Sequence, residues 1–196
     1  MEQSEKDEKL KAAARKGKKD KPKKSVKQDI FEWIMVFVVA AALAFVVRTF
    51  IFEPVRVDGS SMLNTLTDSD FMIATKFDYL LGDPERFDIV ICDYPNTDDG
   101  MYRVKRVIGL PGETIELRVG ELYVNGELIA QDFDMTENET YFGPLTVPEG
   151  CYFVMGDNRN NSKDSRSPMV GPLKRSMIKG HVRCVVFPFS RMQWIE

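Results

Sequence analysis

The sequence predicts a mainly β domain carried behind one N-terminal transmembrane helix. Three observations predict it. Ile30 to Val47 is apolar except for Glu32, and at about 1.5 Å per residue this run spans about 27 Å, close to a bilayer's hydrocarbon thickness. Beyond residue 50 the patterned segments are short β-branched or aromatic runs bounded by turn residues. Helical periodicity is weak outside the apolar run, apart from a short turn expected at Met62–Asp68.

Beyond Met1, residues 1–28 carry Leu10 and Val26 as their only large apolar residues, and Lys16 to Lys24 is nearly all Lys, Gly, Asp and Pro. Such a segment buries too little surface to offset its ordering entropy, so a disordered basic tail is expected. The formal net charge of -3 hides this tail, because most acids lie beyond residue 50. Lysine-rich tails also bind nucleic acid, but a span directly follows, so the charge reads as a topology signal and no nucleic-acid partner is expected. The helix is placed at 29–49, with Glu32, Trp33 and Arg48 at the interfaces. The positive-inside rule then puts the tail in the cytoplasm and everything after Arg48 outside: a single-pass protein of the cell membrane. A cleavable secretory signal is the alternative. Its usual apolar core is about 7–15 residues, and the small residues Ala40-Ala41-Ala42 lie inside the run, so an uncleaved anchor is preferred.

Over 50–196, strands are expected at Phe71–Phe77, Phe87–Cys92, Tyr102–Leu110, Thr114–Arg118, Glu121–Val124, Glu127–Ala130, Cys151–Met155 and His181–Phe187. Asn125-Gly126 reads as a tight hairpin turn. Asp132 to Thr140 is acidic and reads as a loop. Cys92, Cys151 and Cys184 have neither metal-ligand spacing nor an even-numbered disulfide framework. Free thiols are expected, with a Cys151–Cys184 pair left open. Phe187, Phe189 and Trp194 fit either a lipid-facing surface or ordinary core.

Three words carry the chemistry: Ser61-Met62-Leu63-Asn64-Thr65-Leu66 after Asp58-Gly59-Ser60; Tyr102-Arg103-Val104-Lys105-Arg106-Val107-Ile108-Gly109; and Gly156-Asp157-Asn158-Arg159-Asn160-Asn161-Ser162-Lys163-Asp164-Ser165-Arg166. A serine hydroxyl attacks only when a base takes its proton. The one histidine, His181, lies in a strand-like run and reads as an ordinary partly buried residue. Lysine serves as base only when neutral, which requires burial to lower a pKa near 10.4. Strand alternation puts Arg103, Lys105 and Val107 on one face. Local pattern alone therefore leaves Lys105 between a surface charge and a buried amine. Adjacent Ser60 and Ser61 point oppositely, so at most one faces it.

Together, in this order and behind an anchor, the words resemble a type I (bacterial leader) signal peptidase. The resemblance implies an all-β catalytic core with a second β region inserted over about 113–150, whose shortness is Gram-positive-like. It implies a serine endopeptidase that removes N-terminal signal peptides from exported preproteins, accepting small residues one and three positions before the cut. Ser61 would be the nucleophile and Lys105 the base. The Ser61 N–H would hold the oxyanion, and Gly59 stands where many members place a second donor. Ser162 would orient the lysine amine, with Asp164 and Arg166 paired to hold its loop. Substrate-pocket positions match Val57, Asp58, Met62, Leu66 and Val104, with substrate bound extended along a strand edge. No cofactor or metal is implied; the partners are signal peptides, the lipid bilayer and the secretion translocon. Asn64 replaces the family's usual proline, and Asn160 its usual acid. Ser61 follows Val47 by fourteen residues, a tether of at most roughly 50 Å. Two rivals remain: a non-catalytic member that holds extended segments, opposed by intact Ser61 and Lys105, and a cytoplasmic Ser-Lys self-cleaving repressor, opposed by the anchor.

Overall fold

The computed structural model describes residues 26–95, 101–136 and 139–195. The expected tail lies outside the described residues up to position 25, while residues 26–28 already belong to helix α1 (Val26–Phe50). Asp29 in the first turn and Arg48 in the last suit the helix dipole, and no residue of α1 is buried. The helix is long and apolar enough to cross a membrane. Two compact units divide the chain, one ending at Ala44 and one starting at Phe45.

The second unit is mainly β, as expected. Its larger sheet has the order β1-β2-β11-β3-β4-β9-β10, with β12 paired to β11. These strands are β1 (Phe52–Arg56), β2 (Phe71–Thr75), β3 (Ile89–Cys92), β4 (Arg103–Gly109), β9 (Cys151–Met155), β10 (Leu173–Lys174), β11 (Ile178–Phe187) and β12 (Gln193–Trp194). A four-stranded sheet of order β7-β6-β5-β8 comprises β5 (Thr114–Arg118), β6 (Glu121–Val124), β7 (Glu127–Ile129) and β8 (Phe142–Thr146). Each neighbouring pair is antiparallel. Asn125 and Gly126, with φ of 52° and 85°, close the β6–β7 hairpin, as a two-residue turn with both φ positive should. The short helix α2 (Asp78–Leu81) links β2 to β3.

Strands β1 and β8 were not expected, and both contain proline, Pro54 and Pro144. Both are edge strands, where a missing N–H costs no ladder bond. Of the acidic 132–140 loop, residues 137 and 138 lie outside the described residues, and Met135 forms a single bridge with Asn64. All three cysteines are free, so Cys151 and Cys184 do not pair. Phe187, Phe189 and Trp194 are 50%, 77% and 79% exposed, which removes the core reading of these residues.

Strand β4 is the element that positions the chemistry. It lies between β3 and β9, and Val104 to Gly109 is buried throughout. Val104 packs on one face with Val55, Met72 and Ile91. On the other, Val107 packs with Val90, Cys92 and Val154. Lys105 lies directly opposite Val90 and so shares this second face. Beyond it, Ile108, Phe153 and Met155 join the larger sheet to Ile115 and Leu117 of the smaller one.

Candidate active site

Ser61 stands in the connection between β1 and β2. The base of that connection is closed by Val57 N–H to Asp70 O (2.8 Å) and Ser69 N–H to Val57 O (2.9 Å). A hydrogen-bonded turn follows Ser61, with Leu66 N–H donating to Met62 O at 2.8 Å. Met62 and Leu66, 1% and 0% exposed, anchor this turn in the core. They hold the turn from the core side. Val57 and Val104 belong to the same apolar cluster, whereas Asp58 is exposed.

Lys105 Nζ lies 2.7 Å from Ser61 Oγ and donates to Val104 O at 2.9 Å. The side chain is buried, with its residue 3% exposed. Burial pushes its pKa below the ordinary lysine value, against the opposing pull of Cys92, Asp164 and Asp157. Residue pattern left the state of Lys105 open; the coverage of both β4 faces decides it.

The third word closes around the serine. Asn158 N–H donates to Ser61 O at 3.0 Å, and Asn158 Nδ2 donates to Ser60 O at 3.0 Å. Asn161 Nδ2 donates to Ser60 Oγ at 3.0 Å. Thus Ser60 is held by this loop while Ser61 meets the lysine. A β-carbon at Gly156 would collide with Ser61 O and Ser162 Oγ, so this close approach needs glycine. Gly156 N–H donates to Asp164 Oδ2 at 3.0 Å. Asp164 and Arg166 form a two-bonded pair, both contacts 2.8 Å. Burial pushes the Asp164 carboxyl up, but Arg166, the Gly156 N–H and the Ser162 hydroxyl together bring it below its usual value. Arg166 also donates to Arg159 O at 2.8 Å, tying the loop to itself.

Some expected contacts differ. Ser162 Oγ is buried without a hydrogen-bond partner among the described residues. It lies near enough to Asp164 to affect its charge, and the Lys105 amine instead bonds Ser61 and Val104. Gly59, at φ 92°, spends its N–H on Asp68 Oδ1 at 2.8 Å. Asn64 is exposed, and its Nδ2 lies 3.5 Å from Asp134 Oδ1. His181 is set apart from the serine. Its ring nitrogens lie 4.0 Å from Asp78 and 3.6 Å from Asp88, and it stacks on Tyr79. Residues Lys105, Val90 and His181 occupy one row across β4, β3 and β11, which sets His181 roughly 10 Å from Lys105 in backbone spacing.

A second network was hidden in the sequence. Arg106, on the β4 face opposite Lys105, bonds Asp157 through Nε (3.0 Å) and Nη2 (2.8 Å). Thr65 Oγ1 donates to the same carboxylate at 2.5 Å, and Arg106 stacks 4.0 Å above the Phe133 ring. Arg106 and Asp157 are 2% and 0% exposed. Both stand in the quoted words, but only the fold shows that they pair.

The family model described as signal peptidase, peptidase S26, matches residues 30–187. Signal peptidase I of Bacillus licheniformis is 38% identical over 178 residues, covering 85% of this chain and 94% of that protein. Signal peptidase I S of Bacillus subtilis is 40% identical over 182 residues, covering 86% and 95%. A signal peptidase I crystal structure from Enterococcus faecalis is 38% identical, covers 51% of this chain and 97% of that one, and gives a TM-score of 0.41. With the match running from the apolar helix through all three words to the end of β11, the chain belongs to the signal peptidase family, peptidase S26.

Proposed function

We propose that this protein is a membrane-anchored serine endopeptidase that removes N-terminal signal peptides from exported preproteins through a Ser61–Lys105 dyad. The observation that carries the dyad is the 2.7 Å contact between a serine oxygen and a buried lysine amine. The neutral amine takes the Ser61 proton as Oγ attacks the scissile carbonyl carbon, and the Ser61 N–H stabilises the oxyanion. The ammonium returns that proton to the leaving amine of the mature chain, which departs and leaves an ester on Ser61. Water then attacks the ester, giving its proton to Lys105, and the signal peptide leaves with a free carboxylate as Ser61 regains its hydrogen. Ser162 orients the amine during these transfers, and the Asp164–Arg166 pair holds its loop. Val57, Asp58 and Val104 border the substrate before the cut. The basic tail and apolar helix support an N-terminus in the cytoplasm and a catalytic domain outside. An anchored protease raises the local concentration of bonds presented at the bilayer or by the translocon.

The test is mass measurement of a model preprotein before and after incubation with the full-length enzyme. One cut after a small residue, releasing the mature chain, is expected; an intact preprotein defeats the proposal. Protease added to protoplasts should digest the domain after Arg48 and spare a tail epitope; protection of that domain would overturn the orientation.

The pH dependence follows from the burial of Lys105. kcat/KM should rise with pH through a lysine pKa below its ordinary value. Between that lowered pKa and about 10.4 the unfolded chain binds the extra proton, so stability also rises with pH there. The ascending limb should survive His181→Ala. Loss of the limb in that variant would assign the base to histidine.

A further inference from the structure

We propose that the groove along the inserted sheet receives the substrate chain just after the cleaved bond, held extended against β7 and favoured when it carries a basic residue. This rests on the signal-peptide-cleaving reading above. The groove is a cavity of about 930 Å³ bordered by Leu128 and Met135, with Glu121, Gln131, Glu139 and Asn160 supplying its polar side chains.

Its position follows the chain away from Ser61. Met135 bridges Asn64, three residues beyond the serine. Asn160 is next to Asn161, whose amide holds Ser60. Both walls are therefore tied to the serine-bearing connection. On the reading above, the substrate before the cut lies at Val57 and Val104, so a chain crossing Ser61 passes the 156–161 loop as it leaves. The groove begins at that loop.

Its chemistry selects the occupant. Among the described residues β7 pairs only with β6, at one end of the four-stranded sheet, so no strand among them pairs with its outer edge. Leu128 on that strand is 57% exposed. An open edge with an adjacent apolar wall suits an extended peptide, whose main chain adds to the strand while alternate side chains enter the groove. Among the described lining residues there are two carboxylates and no lysine or arginine. Glu121 is fixed by a 3.1 Å bond from Tyr123 Oη. Arg159 lies buried beneath Gln131, donating to its Oε1 at 2.6 Å, so its charge is kept from the groove surface. A chain carrying a cation thus finds complementary charge.

The test compares two substrates with one signal peptide and one cleavage site. The first ends just after the cleaved bond; the second continues for a dozen residues and includes a lysine. With the full-length enzyme, Glu139→Lys should lower the ratio of kcat/KM on the long substrate to that on the short one. The expected fall is roughly threefold to fivefold, the size of an exposed ion pair, and it should appear in KM. Replacing the substrate lysine by glutamate should reverse the effect. Leu128→Ser, which removes the apolar wall without adding charge, should lower the same ratio with either long substrate. A ratio unmoved by both variants overturns the proposal. So does a change in sedimentation without a change in ratio, which would make the groove a contact between copies. Failure of the dyad reading has a different signature, namely cleavage that persists in Ser61→Ala.

Discussion

Ser61→Ala and Lys105→Ala should each lower kcat by roughly 10⁴-fold or more, because each removes a whole chemical role from a pair that acts as one unit. Ser61→Ala removes a hydroxyl at a turn whose apolar anchors, Met62 and Leu66, are untouched, so the Tm should stay near wild type. Lys105→Ala also removes a buried amine that burial already disfavours as a cation, so much of the lost packing is offset. Lys105→Met should fold well and be equally inactive. Lys105→Arg should be inactive too, since a guanidinium keeps its proton at any pH the enzyme tolerates. His181→Ala should retain turnover, because its ring faces Asp78 and Asp88, two strands from Lys105. The check is cleavage of a model preprotein alongside thermal unfolding of each variant. Normal turnover in any Ser61 or Lys105 variant, or a His181→Ala loss equal to that of Ser61→Ala, would falsify the dyad.

Legibility in the sequence followed the range of the forces involved. Thr114–Arg118 and Glu121–Val124 were readable as strands because their side chains alternate locally, Cys151–Met155 because it is a short aromatic and β-branched run, and Asn125-Gly126 because its turn needs positive φ. β1 and β8 were not, since Pro54 and Pro144 read as breakers until edge position makes them harmless. The Ser61 and Lys105 words stood out by resemblance, but the burial of Lys105 did not. Arg103, Lys105 and Arg106 look like a solvated strand, and only the flanking β3 and β9 cover it. The asparagines were invisible for the same reason: Asn158 and Asn161 reach Ser60 across about a hundred residues of chain. The burial of Met62 and Leu66 was likewise not legible from their local pattern.

Arg106→Ala and Asp157→Ala should each destabilise the domain by about 3–5 kcal/mol, because either leaves its partner's charge buried and unpaired. In a domain of this size that corresponds to a Tm drop on the order of 10 °C. The Arg159 guanidinium also attracts Asp157, so the loss should be smaller for Arg106→Ala than for Asp157→Ala, which leaves two buried cations together. Arg106 Nη1 donates to Phe87 O at 2.9 Å and the guanidinium rests on Phe133, neither of which carries charge. Replacing both residues by apolar ones, Arg106→Met with Asp157→Leu, should recover much of the stability, since the desolvation of two ions disappears with them. Activity should not recover in parallel. Asp157 also accepts from Thr65, four residues beyond Ser61, and lies between Gly156 and Asn158, which approach the serine carbonyl. An apolar pair refills the core but leaves Thr65 without that acceptor, so kcat should stay low while KM changes little. Thermal unfolding and steady-state kinetics on the two single variants and the double variant check this. Single losses below about 1 kcal/mol would mean that the pair is worth no more than a surface ion pair. Full recovery of kcat in the double variant would mean that the pair supports the fold alone and does not position the serine turn.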